Sequence, residues 1–418
     1  MGQSISYRPS RVLYICYASP MNGRLGPARR HFHMVEQLSR FYDLHVLSIG
    51  ATSDAMALTR RFRSRVSHAT FVAPARSAVP KHVRKFWRTL RGDCDFLPAA
   101  EPALCRETRL LTSPARCDAV ILSSVLLQRL PLAGGVPVIA DTHNAEFDVL
   151  RRTAAFSDSW IRRQYATWQM AATRREEQRC GRAVDLVLAT SERDRRVFEE
   201  ELALPRVAVI PNGIDLGEFE PGETPPSPGT IVFSGLMSYY PNQQGIRWFL
   251  DEIFPLIVRR VPNARLVVAG AAPPAWLRAR ASAHVEVTGR VPDIRPYLRA
   301  ASVVVVPLRI GGGTRVKILE AQAMRRPVVS TTIGAEGLGL SHGESILLAD
   351  RTQEFADRVV DLLSDASQAT GIAANAWAHA AGHFSWTDIG ERLSAVLQSS
   401  IGLTPRSDRL AEGSAQVA

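Results

Sequence analysis

Short runs rich in Val, Ile and Leu recur along this chain, each followed by a longer stretch with helical spacing, and the whole rhythm occurs twice. The first series falls at 11–17, 44–49, 119–124, 136–141, 184–190 and 207–210. Strands separated by helices have no hairpin partner next in sequence, so they are satisfied by a parallel sheet with crossover helices. The stretch 217–229 holds four prolines and breaks the rhythm, which reads as a linker. A second series then runs through 230–234, 265–269, 285–288, 302–307, 327–330 and 346–348. At 418 residues the chain is long enough for two cores. The expectation is an α/β protein of two Rossmann-like, doubly wound domains facing across a cleft. Residues 1–215 form the first, 216–229 the connection and 230–385 the second. A C-terminal helix at 386–403 packs back toward the first domain, and 404–418 form a disordered tail.

No run approaches the roughly 20 apolar residues of a membrane-spanning helix, and the first residues lack the apolar core of a signal peptide. The five cysteines, Cys16, Cys94, Cys105, Cys117 and Cys180, are odd in number and never stand as C-x-x-C. That spacing argues against a disulfide framework and against zinc, and fits a cytoplasmic protein. Charge is unevenly placed. Residues 1–215 hold 32 Lys and Arg against 21 Asp and Glu, whereas 216–418 hold 19 of each. The excess of +11 in the first half attracts an anionic partner, such as a lipid surface or a phosphorylated acceptor. Nucleic acid is a poorer fit, because no recognised motif or interleaved aromatic platform accompanies the charge.

The most informative segment is GGGTRVKILEAQAMRRPVV at 311–329, which follows the apolar run SVVVVPL. Glycines let backbone amides approach a ligand closely, and the helix start that follows is an anion site. A capping box would place Glu or Gln three residues after Thr314, but Lys317 stands there. With Arg315 as a second cation, Gly312, Gly313, Thr314, Arg315 and Lys317 suit a diphosphate. Glu320 lies ~7.5 Å further along the helix axis, where a carboxylate can accept from ribose hydroxyls. The competing reading is a Gly-rich cap with Lys317 and Glu320 as a solvated pair.

This segment, together with VIPNGID at 209–215 and VTGRVPDIRPYLRAASVVVVPL at 287–308, resembles the family-4 retaining glycosyltransferases of the GT-B fold, in order and over 11–397. The resemblance implies a nucleotide diphosphate sugar as donor, a hydroxyl acceptor and no divalent metal or other cofactor. It places Glu320 at the second glutamate of the family's E-x7-E motif, which holds the ribose. The first glutamate falls on Gly312, so this chain resembles a subgroup without it. A second departure lies in FSGLMSYYPNQQGI at 233–246, where relatives carry Arg and Lys for the diphosphate. Here Leu236 and Pro241 or Asn242 stand near those places, and Arg315 and Lys317 supply the charge from the helix instead. Gly235, beside Ser234, lies under the diphosphate.

In the first half, VIADTHNAEF at 138–147 puts His143 just after a buried strand, and it resembles the family's histidine near the reacting carbon. A histidine that merely closes the strand end is the alternative. Gly23, Arg24 and Gly26 in the loop after the first strand suit close approach to diphosphate or acceptor. In KHVRKFWRTLR at 81–91, Lys81, Arg84, Lys85 and Arg88 form one helical face, and Val83, Phe86, Trp87 and Leu90 another. That pattern fits peripheral contact with the anionic inner face of a membrane, or an ordinary helix packed by its Trp face. No D-x-D follows a strand, and no paired carboxylates or nucleophile stand out. The chemistry expected is front-face transfer, His143, Arg315 and Lys317 serving catalysis. The rivals are a GT-B epimerase or phosphorylase, which turns over without an acceptor hydroxyl, and a catalytically silent nucleotide-sugar-binding protein.

Overall fold

The computed structural model describes residues 8–22, 26–62, 65–74, 87, 91–97, 101–157, 159–222 and 225–406. Compact units divide the chain as 1–148, 167–210 and 387–418 on one side and 149–166 and 211–386 on the other.

The first unit is built on a seven-stranded parallel sheet. Its strands are β1 (Arg11–Cys16), β2 (Asp43–Ile49), β3 (Val66–Val72), β4 (Ala119–Leu122), β5 (Val138–Asp141), β6 (Leu186–Ala189) and β7 (Val207–Val209), in the order β3-β2-β1-β4-β5-β6-β7. β4, β5 and β6, and β1 after Arg11, are buried along their whole length, as in a parallel sheet covered on both faces. β3 has no counterpart in the expected series. At the edge its Ser67, His68 and Thr70 replace the apolar run by which a central strand is recognised, and Ser67 Oγ donates to Leu44 O at 3.0 Å.

The second unit carries a six-stranded parallel sheet. β8 (Thr230–Ser234), β9 (Arg265–Ala269), β10 (Val285–Gly289), β11 (Val303–Val306), β12 (Val328–Ser330) and β13 (Leu347–Leu348) lie in the order β10-β9-β8-β11-β12-β13. All four valines of β11 are fully buried, each contributing about 1.5–3 kcal/mol relative to exposure. In both sheets the strand order reverses once, between β1 and β4 and between β8 and β11. Open α/β sheets bind ligands beyond the strand ends at such a reversal.

Two expectations about organisation are corrected. The proline-rich stretch expected to link the domains is packed on the second unit. Phe219 is 2% exposed in that core, Arg295 Nη1 donates to Glu218 O at 3.0 Å, and Ser227 N donates to Ala300 O at 3.0 Å. A buried phenylalanine among prolines and glutamates gives no periodicity to read. The chain instead passes between units at Ile210 and Pro211, inside VIPNGID, and 149–166 belong to the second unit although they precede it in sequence.

The helix Trp386–Ile401 buries Ile389, Leu393 and Leu397, and 387–418 group with the first unit. Residues 404–406, expected to begin a disordered tail, are hydrogen-bonded there: Thr404 N donates to Ser10 Oγ at 2.9 Å and Arg406 N to Phe41 O at 2.7 Å. Residues 407–418 lie outside the described residues. The amphipathic segment 81–91 does too, apart from Trp87, which is exposed, and Arg91. Among the described residues no helix is long and apolar enough to cross a membrane.

Candidate functional site

The strand reversal in the second unit brings two loops together, one after β8 and one after β11. The β11 loop needs its glycines. At Gly311 the backbone has φ +149°, and a Cβ would stand 2.6 Å from Arg315 Nη2. The Gly311 carbonyl accepts from Arg152 Nη1 at 3.0 Å, and the same guanidinium pairs with Glu336 at 2.8 Å. Thr314 is 8% exposed, and its Oγ1 accepts from Asn212 N at 3.3 Å, which ties the loop to the VIPNGID segment. The helix Val316–Ala323 then begins with no acidic residue in its first turn and no side-chain cap, so its positive end is not neutralised locally.

Lys317, in the first turn, reaches across to the other loop. Its Nζ donates to Asn242 Oδ1 at 2.9 Å and lies 4.4 Å from the centre of the Phe233 ring. It stands 3.0 Å from where a Cβ on Gly235 would be, so the absence of a side chain at 235 is what admits the amine. Burial, with the nearby Arg315 charge adding to it, pulls Lys317 down to about 7, while Glu320 one turn on opposes the shift. Asn242 is held in turn by its Nδ2 donating to Leu236 O at 2.9 Å. Lys317 thus brings one cation from the helix after β11 to the loop after β8.

Arg315 has a different placement from the open cation expected. It is 7% exposed, and its guanidinium turns back to the carbonyls of Gly312, Gly313 and Ile333. A glycine-rich loop bares carbonyls as well as amides, and this arginine satisfies them. Gly312 and Gly313 lie in the loop so braced, and Glu320 is half-buried on the helix. Ser234, 3% exposed at the end of β8, has an Oγ with no hydrogen-bond partner among the described residues.

In the first unit, His143 follows β5 two residues after Asp141. Asp141 is fully buried and receives Arg30 Nη2 at 2.6 Å and Nε at 3.0 Å, while Nη2 also donates to Ile210 O at 2.9 Å. Beside this pair, His143 Nε2 lies 3.1 Å from His31 Nε2, and His31 Nδ1 lies 3.3 Å from Ala18 O. Burial pushes His31 down to about 4. Burial first, then the neighbouring His31 and Arg30, pushes His143 well below the ordinary histidine value. Gly26 opens the helix Gly26–Phe41, whereas Gly23 and Arg24 lie outside the described residues.

Sequence reasoning missed Arg152, which sits 159 residues before the loop it braces, and His31. Neither contact leaves a local pattern. Only the strand reversal, a property of the whole sheet, shows where such residues converge.

Comparison with known proteins agrees with this architecture. The model for Glycosyltransferase Family 4 matches residues 26–218, and that for Glycosyl transferases group 1 matches 228–365. An uncharacterized 44.6 kDa protein in the cps region of Klebsiella pneumoniae is 26% identical over 156 residues, 35% of this chain and 40% of that protein, so the match spans less than half its length. The GDP-mannose-dependent monoacylated alpha-(1-6)-phosphatidylinositol monomannoside mannosyltransferase of Corynebacterium glutamicum is 26% identical over 290 residues, 64% of this chain and 71% of that one. Among solved structures, Anabaena Alr3699/HepE in complex with UDP and glucose superposes with a TM-score of 0.65 at 15% identity, covering 93% of this chain and all of that one. Sucrose-phosphate synthase from Thermosynechococcus elongatus gives a TM-score of 0.70 at 13% identity, covering 93% and 98%. At such identities the likeness establishes the fold, two parallel-sheet Rossmann-like domains of the GT-B kind.

Proposed function

We propose that this GT-B chain, family-4-like in both its matched segments, is a retaining glycosyltransferase that moves a sugar from a nucleotide diphosphate to an acceptor hydroxyl. The observation that carries the reading is Lys317: a helix N-terminus, a side-chain-free Gly235 and a cation meet where the order of the second sheet reverses. Those are the requirements of a diphosphate. Glu320 takes the ribose hydroxyls, and Gly235, Gly312, Gly313 and Thr314 give the backbone approach. Arg315 shapes the loop through its carbonyl contacts and adds charge behind Lys317. His143 contacts the transferred sugar.

In the proposed reaction the bond from the anomeric carbon to the diphosphate oxygen breaks. The acceptor oxygen forms its bond on the same face, and its proton passes to the departing phosphate oxygen. The negative charge that develops on the leaving group is met by Lys317 and the helix amides, with no metal ion required. Isolation of a covalent glycosyl-enzyme would overturn this. The basic first half fits an anionic or lipid-linked acceptor presented at a membrane surface.

A thermal-shift screen against UDP-, GDP- and dTDP-sugars, with and without EDTA, tests the reading. Ligand at 100 times its dissociation constant stabilises by about 2.7 kcal/mol. A shift insensitive to EDTA and abolished by Glu320→Ala is expected, and no shift with any donor removes the reading. The absent first glutamate, Gly312, favours one alternative, a nucleotide-sugar-binding protein without turnover. Binding without sugar release from any donor would select it.

A further inference from the structure

His143 is not alone at the end of β5. It forms a hydrogen-bonded imidazole pair with His31, a residue of the helix Gly26–Phe41, with ring centroids 5.2 Å apart. A carbonyl oxygen can only accept, so the 3.3 Å contact between His31 Nδ1 and Ala18 O requires the proton on Nδ1. A neutral ring protonated there has a bare lone pair at Nε2. The 3.1 Å contact between the two Nε2 atoms then requires the shared proton to sit on His143. That leaves His143 Nδ1 as the acceptor of its ring, and among the described residues nothing donates to it. The chain of contacts runs in one direction: His143 Nε2–H donates to His31, and His31 Nδ1–H donates to Ala18.

From this geometry we infer that His31 is a positioning residue that fixes the tautomer of His143, so that His143 meets the transferred sugar as a hydrogen-bond acceptor and selects a ligand hydroxyl that donates to it. The inference rests on the proposed role of His143 beside the donor sugar. It excludes the imidazolium, which has no acceptor atom and would place a positive charge near the reacting carbon, where positive charge develops.

The surroundings maintain the neutral pair. Arg30 stands next to His31 in sequence and repels a second proton. Asp141, which would attract one, is engaged by Arg30 through three contacts of 2.6–3.2 Å. Tyr14, fully buried, lies edge-on to His31 at 6.2 Å between centroids and brings no cation or carboxylate. Burial of both rings acts in the same direction.

The test uses the full-length protein labelled with 15N-histidine, with two-bond 1H–15N spectra recorded at pH 8 and assigned through His31→Gln and His143→Gln. The expected pattern is His31 protonated on Nδ1, the minor form of free histidine, and His143 protonated on Nε2. His31 protonated on Nε2, or either ring cationic, would overturn the inference. The second arm reads the pH dependence of kcat/KM with whichever donor the thermal-shift screen identifies. His31→Leu removes the acceptor and the suppression of His143 protonation. It should move the acid limb upward by about one pH unit or more and lower kcat/KM roughly tenfold to 100-fold near pH 6, the usual cost of losing a group that orients an imidazole. His31→Gln, whose amide oxygen can still accept from His143, should keep the wild-type limb. An acid limb that moves in neither variant, or equally in both, refutes the assignment. UDP alone should bind both variants as it binds the wild type, which separates this role from general unfolding. If no nucleotide sugar binds the wild type, the functional reading fails, while the spectra still decide the tautomers.

Discussion

Lys317 offers the sharpest quantitative test, because burial brings its amine down to about 7, well below the ordinary lysine value. A nucleotide diphosphate does not change charge above pH 7, since the second ionisation of a phosphate monoester lies near 6. If the ammonium is the form that binds, the complex takes up a proton above pH 7, and apparent affinity falls with each further unit by about 1.4 kcal/mol. Half of the amine is already neutral at pH 7, so from pH 7 to pH 9 the loss reaches ~2.3 kcal/mol, a roughly 50-fold rise in dissociation constant. Titration calorimetry with UDP and GDP, run at each pH in two buffers of different ionisation enthalpy, reads both the affinity and the proton count. About one proton should be taken up at pH 8.5 by the wild type. Lys317→Arg, charged at every pH used, should bind with no uptake and a flat profile. Equal slopes in the two proteins, or a wild-type affinity that does not change between pH 7 and 9, would refute the placement of Lys317 on the diphosphate.

Three further outcomes follow from the same geometry. Gly235→Ala puts a methyl 2.8 Å from Asn242 Nδ2 and 3.0 Å from Lys317 Nζ, in a left-handed backbone conformation; calorimetry should find nucleotide binding weakened roughly tenfold or more, the worth of one charge-assisted hydrogen bond. Asp141→Ala strands Arg30, 2% exposed, without its partner, and chemical denaturation should show a loss of about 3–5 kcal/mol, whereas a loss under 1 kcal/mol would mean that the pair is not buried as described. His31 is held neutral in the folded chain down to about pH 4, while the unfolded chain binds a proton below about 6.5. Its contribution is complete above pH 6.5 and is lost as pH falls toward 4, by about 3 kcal/mol over that window, and His31→Gln should flatten that part of the stability profile.

Much of the fold was legible because central parallel strands carry a signal that survives without context: four valines in a row at 303–306 can only be buried on both faces. β3 was not, since at an edge Ser67 and His68 replace the apolar run. The glycine-rich loop and its helix were also readable, because glycines and a helix start have backbone consequences of their own. What the cations there do was not. A count of charges does not say whether a guanidinium faces a ligand or its own loop, and Arg315 takes the loop carbonyls while Lys317 bridges to Asn242. The same holds for His31, whose partner lies 112 residues away. The stretch around Phe219 was misread for the opposite reason, its prolines speaking louder than one apolar side chain.

The brace from Arg152 to Gly311 and Glu336 bears on how the protein can be made and cut. The chain passes from one unit to the other after Asp148, Ala166, Ile210 and Trp386. Neither unit is therefore a single piece of polypeptide. A fragment beginning at Pro211 would carry the glycine-rich loop but not the arginine that holds it, and a chimera joined at that point would inherit its loop from one parent and the brace from the other. On the ribosome the arginine emerges long before the loop, so this contact waits for the second half of synthesis. Transfer of the intact braced loop between relatives would have to move 149–166 together with the downstream half.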